Sequence, residues 1–121
     1  MQLLLVDSIT EALATGAGHI VVSGSHGGIS AGHFALRARP AIVVFNDAGV
    51  GKDGAGVAAL ALLQSAAIAA CTVAHNSARI GDAQSTFDDG VISHTNGAAA
   101  ALGASPGLPL RQWIDRLRTV G

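Results

Sequence analysis

Four apolar runs, QLLLV (Gln2–Val6), HIVVS (His19–Ser23), AIVVF (Ala41–Phe45) and IAACTVA (Ile68–Ala74), recur along the chain with helix-like pieces between them. No Asp, Glu, Lys or Arg interrupts any of them. A strand with one wet face alternates apolar and polar side chains, whereas a continuous run rich in Val, Ile and Leu marks a strand covered on both faces. Covered strands separated by helix-length segments make βαβ units and a parallel sheet.

The intervening segments carry the matching helix signals. Ser8 and Glu11 stand at capping-box spacing and open a helix through Ala14 that Gly16 closes. Gly27 and Gly28 lead into a helix from about Ser30 to Arg39, which Pro40 stops. An alanine-rich helix ends near Ala66, a helix over Thr95–Leu102 ends at Gly103, and SPGLP breaks the chain before a last helix over Leu110–Leu117. That helix gathers Trp113, Ile114 and Leu117 on one stripe. His75 to Gly90 reads as a polar loop, followed by a short apolar patch at Val91 and Ile92. The expected fold class is α/β: a three-layer sandwich with a small parallel sheet of three to four strands and helices on both faces, Rossmann-like or flavodoxin-like. Right-handed crossovers place the helices, and the absence of a linker or repeat makes residues 1–121 a single α/β domain.

Composition removes several functional classes. Hydrophobic residues are 50% and charged residues 12%, against about 25% charged in ordinary globular chains. Disorder needs the opposite balance. A net charge of −1 without a basic stripe argues against nucleic acid. Arg111, Arg116 and Arg118 cluster only on the wet face of the last helix. So little charge also favours a homo-oligomer, with the alanine-rich helix or the Trp113 stripe as the contact. The uncharged stretch Gly54–Ala74 is long enough to span a bilayer but is mostly alanine and glycine, so no membrane association is expected. The lone Cys71, in an apolar run, and the lack of a legible signal peptide point to the cytoplasm.

In parallel α/β sheets ligands bind at the carboxyl ends of the strands. Here the turns at those ends read SGSHGG (Ser23–Gly28), NDAGVGKDGAG (Asn46–Gly56) and HNSARIGD (His75–Asp82), and SHTNG (Ser93–Gly97) follows the short apolar patch. Loops are polar in any protein, but these repeatedly set functional side chains directly after a covered strand. Asp47, His75 and His94 are the candidate acid/base groups. Ser25 has small residues two places on either side, as a nucleophile elbow requires, and a triad Ser25, Asp82, His94 can be drawn. Gly49-Val50-Gly51-Lys52-Asp53-Gly54 is a formal G-x-G-x-x-G. No acidic residue ends the next strand to hold a ribose, so a dinucleotide is not implied and no cofactor is assigned. Glycine amides with Lys52 beside them suit a carboxylate or phosphate, and Asp53 competes by capping the helix. The candidate ligand-binding set is therefore His26, Gly27, Gly28, Asn46, Gly49, Gly51, Lys52, Asp53, Ser77, Arg79 and Asp82. His26, Asp47, His75 and His94 lack the short spacings of a strong metal motif, so no metal site is assigned. His19 and His33 lie inside a strand and a helix and read as structural.

His26, Asp47 and His75 are expected to line one concave pocket at the carboxyl edge of the sheet, with burial raising the pKa of Asp47 toward that of a useful base. The leading expectation is a small-molecule enzyme acting on a polar, anionic metabolite at the carboxyl edge of the sheet, with hydrolysis among the reactions it could support. The alternative is a non-catalytic anion- or nucleotide-binding module, or a subunit of a larger complex.

Overall fold

The four runs form four parallel strands, and a fifth strand joins them. The computed structural model describes residues 1–120 of the chain. Strands β1 (Leu3–Val6), β2 (Ile20–His26), β3 (Ile42–Asn46), β4 (Ala69–Val73) and β5 (Ile92–Thr95) pair in the order β1-β2-β3-β4-β5, with β5 antiparallel to β4. Leu3 lies beside Ile20, Ile20 beside Ile42, and Ile42 beside Ala69. The sheet thus has five strands where three to four were expected. The fifth escapes because ISHT is a short edge strand paired only with β4, and of its four residues only Ile92 is buried in the core.

Because each new strand is added on the same side of the last, right-handed crossovers put every early connection on one face of the sheet. A 3₁₀ turn (Ile9–Ala12), helix α1 (Ile29–Ala38) and helix α2 (Ala58–Ser65) pack there over Val21, Val43, Phe45 and Ala70. Gly32 lets α1 and α2 approach, since a Cβ there would sit 3.0 Å from Ala59 Cβ. The opposite face, formed by Ile20, Val22, Ile42, Val44, Cys71 and Val73, is covered later, by α3 (Ala83–Asp89), α4 (Gly97–Ala101) and α5 (Leu110–Val120). Both faces are helical, as expected, but crossover helices cover only one. The Ser8/Glu11 capping box forms, yet it caps a 3₁₀ turn rather than a helix reaching Ala14.

The segment read as a loop contains α3. Only one large apolar side chain, Phe87, marks it, but Asp82 caps it by accepting from the Ser85 N–H, and Ala83, Thr86 and Phe87 are buried at helical spacing. The Trp113 stripe is not a contact surface. Trp113 is 1% and Ile114 0% exposed, and the indole N–H donates to the Leu102 carbonyl at 3.0 Å. Truncating such a side chain costs about 3–5 kcal/mol.

One connection bears directly on the site. After β4 the chain does not turn back but crosses the carboxyl edge of the sheet as a strap, residues 74–82. Asn46 Nδ2 donates to the Ala78 carbonyl over β3, Gly81 N–H to the Gly24 carbonyl over β2, and Ala83 N–H to Asp7 Oδ1 beyond β1. The approach is close enough to need glycine. A Cβ on Gly24 would lie 2.5 Å from the Asp82 nitrogen. Among the described residues no helix is long and apolar enough to cross a membrane.

Candidate functional site

Asp47 leaves β3 at the carboxyl edge and turns inward. Its side chain is 6% exposed, and Oδ1 accepts from the backbone N–H of Gly49 at 2.8 Å and of His75 at 3.0 Å. The His75 ring lies above it, 60% exposed, with Nδ1 3.5 Å from the same oxygen. Burial pushes the Asp47 carboxyl up, as expected from sequence. The Gly49 N–H, the Ser93 hydroxyl, the His75 N–H and the His75 ring together outweigh burial, and the group ends below its ordinary value of 3.8. The expected raised pKa is therefore corrected: Asp47 is an ionised anchor, and His75 is the exposed member of the pair.

The chain after Asp47 holds a conformation that L-residues avoid. Ala48, Val50 and Asp53 have φ of 52°, 68° and 56°, interleaved with Gly49, Gly51 and Gly54 at 71–78°. For β-branched Val50 this is an outlier costing about 1–2 kcal/mol. Internal hydrogen bonds enforce it: Ala48 N–H to Asn46 Oδ1, Gly49 N–H to Asp47 Oδ1, Val50 N–H to the Asp47 carbonyl, and Gly51 N–H to the Gly49 carbonyl. Gly56 closes the turn against the Asp47 carbonyl, where a Cβ would lie 1.9 Å away. An anion needs free amides. The amides of Gly49 and Gly51 are spent on holding Asp47 and the turn, so these two glycines act as a clamp. Lys52 and Asp53 stand exposed beside it.

Gly27 and Gly28 are committed likewise. Gly27 N–H donates to the Asn46 carbonyl, and Gly28 N–H donates to Nδ1 of the exposed His26 at 3.2 Å. Ser25 is no elbow. It lies inside β2 without positive φ, and its Oγ accepts from the Ile9 N–H at 3.0 Å. His94 sits on β5, opposite Thr72. With β3 and β4 between β2 and β5, and strands about 4.8 Å apart, Ser25 and His94 are separated by roughly 14 Å. The structure does not assemble the triad, and Asp82 is occupied as the α3 cap.

What the structure does bring together lies along the strap. A cleft of about 990 Å³ opens between the strap and α3, and His75, Asn46, Ser77, Arg79, Asp82 and Asp89 are among its lining. His26, Asp47, Lys52 and His94 are not. Asn46 is fully buried, gripping the strap through Nδ2 and the turn through Oδ1. Ser77 donates to the Ala74 carbonyl and accepts from the Val91 N–H. The Arg79 main chain is fixed by its N–H to Ser85 Oγ, 3.0 Å, and its side chain is exposed.

Two groups were missed. Thr72 Oγ1 and Ser93 Oγ lie 2.9 Å apart, and the Ser93 hydroxyl also favours the ionised Asp47. Thr72 is the only hydroxyl in an otherwise apolar strand, which is a legible signal; Ser93 depends on β5 being recognised. Among the described residues no three His, Cys, Asp or Glu side chains gather closely enough to hold a metal ion. Comparison with protein-family models, curated proteins and solved structures finds no match to this chain.

Proposed function

We propose that the protein is a small-molecule enzyme in which Asp47 and His75 perform general acid–base chemistry on a polar metabolite bearing an anionic group. The observation that carries this reading is a buried, ionised carboxylate 3.5 Å from an imidazole that is 60% exposed and lines the cleft of about 990 Å³. A carboxylate at Nδ1 favours the Nδ1–H tautomer and leaves the Nε2 lone pair free. Nε2 can then take a proton from substrate or water, and Asp47 stabilises the imidazolium that forms. Contacts of this kind often tighten only when substrate binds. Arg79, lining the same cleft, supplies an exposed cation for a carboxylate or for developing negative charge. A module binding anions through glycine amides has less support, because the Gly27, Gly28, Gly49 and Gly51 amides already donate within the protein.

The same reading includes a second copy of the chain and a cytoplasmic setting. Charged residues are only 12%, and Ile29, Ile80 and Leu102 are 51%, 55% and 47% exposed. Cys71 is buried with its thiol pushed up to about 12, and a single inert cysteine suits a reducing compartment.

Imidazole ¹⁵N NMR tests the pair directly. At alkaline pH, His75 should show the Nδ1–H tautomer, and Asp47→Asn should shift it toward the Nε2–H form common in free histidine. An Nε2–H tautomer in the unaltered protein would remove Asp47 from the mechanism.

A further inference from the structure

The cleft beside His75 is not uniformly suited to an anion. Three carboxylates, Asp82, Asp88 and Asp89, line it together with Arg79. Two of them are occupied: Asp82 caps α3, and Asp88 accepts from Gln84 at 2.9 Å and from Arg111 at 3.0 Å. Asp89 is exposed and, among the described residues, has neither a hydrogen-bond partner nor a cation within 4.0 Å. It is the last residue of α3 and follows another aspartate. The partial negative charge of a helix C-terminus disfavours a carboxylate there, and so does a like-charged neighbour. Arg79 is its counterpart, a guanidinium without a carboxylate within 4.0 Å among the described residues. The Arg79 backbone N–H bonds to Ser85 Oγ, which holds the root of that side chain beside α3, and Asp89 stands one helical turn beyond Ser85, where side chains four apart are neighbours about 5–6 Å apart. The cleft is therefore lined by one cation and one anion that have no charged partner among the described residues.

Resting on the acid–base reading of His75, we propose that the ligand is a zwitterion of the α-amino-acid class, its carboxylate on Arg79 and its ammonium on Asp89. An amino acid satisfies both groups at once, whereas a dicarboxylate would set one of its charges against Asp89 and a diamine would set one against Arg79. No covalent step is part of this assignment.

The test is calorimetric titration of the full chain with the common α-amino acids, succinate and 1,4-diaminobutane, while following the His75 ring resonances. At least one amino acid should bind, and succinate and 1,4-diaminobutane should not. Arg79→Gln and Asp89→Asn should each weaken amino-acid binding about tenfold or more, the loss expected for one charged hydrogen bond. Failure of every amino acid to bind overturns the proposal. So does succinate binding that Asp89→Asn leaves unchanged; if succinate also moves the His75 resonances, the acid–base reading stands without the zwitterion. Amino-acid binding that both substitutions weaken but that leaves His75 unmoved keeps the zwitterion and removes the acid–base reading.

Discussion

Replacing Asp47 by Asn keeps the size of the side chain and the acceptor at Oδ1, and deletes only the charge. Two backbone N–H groups donate to that oxygen, from Gly49 and His75. A hydrogen bond to a charged group contributes about 1.5–3 kcal/mol and a neutral one about 0.5–1.5, so each loses about 1 kcal/mol. The new amide must also turn the Ser93 hydroxyl from donor to acceptor. The expected cost is about 2 kcal/mol at pH 7. For 121 residues, with an unfolding entropy of about 2.1 cal/mol/K per residue, that lowers Tm by about 8 °C. The pH dependence has a definite sign. The Asp47 pKa is depressed in the folded state, so its stabilisation is fully present above about 3.8 and is lost as pH falls through the lower folded value. Chemical denaturation of both proteins from pH 7 down to pH 2 reads this out, and the gap between them should close below pH 3.8. A gap under about 0.5 kcal/mol at pH 7, or one that persists undiminished in acid, would show that Asp47 is not held ionised by these donors.

Other substitutions separate scaffold from site. Ser25→Ala should cost about 1 kcal/mol, by orphaning the Ile9 N–H, and leave the His75 tautomer untouched; a shifted tautomer would return Ser25 to the site. Asn96→Ala should cost at least about 3 kcal/mol in denaturant unfolding, because the buried amide accepts from Ala70 and Ala99 and donates to Leu60 and Ile68. Gly24→Ala should destabilise by about 1–3 kcal/mol through overpacking against the strap, with hydrogen exchange rising at Gly81 before the central strands.

How much of this was legible follows from what each residue answers to. The β-branched runs report burial on both faces, and four strands follow from them with ends within three residues. β5 and α3 were not legible, because ISHT and AQSTFDD carry little apolar signal and owe their form to β4, to the Asp82 cap and to Phe87. The candidate site was sought at the strand ends, where Asp47 and His75 meet, but of His26, Asp47 and His75 only His75 lines the cleft. The chemistry of Asp47 was misjudged because sequence shows burial but not the N–H donors that fold back onto the carboxylate. The glycine-rich turn misled for a related reason: its composition suggests free amides, and only the φ values and partners of residues 48–51 show them committed. The strap was invisible, since nothing in HNSARIGD says that it crosses three strands.

The central claim is that His75, oriented by Asp47, turns over a small molecule. The most direct measurement incubates a cellular small-molecule extract with the unaltered protein and with His75→Gln, and compares the two by mass spectrometry. His75 is exposed, so the substitution should change stability by no more than about 0.5 kcal/mol. The account predicts at least one carboxylate-bearing species consumed by the unaltered protein and left intact by His75→Gln. Equal consumption by both proteins, or consumption by neither, would contradict it.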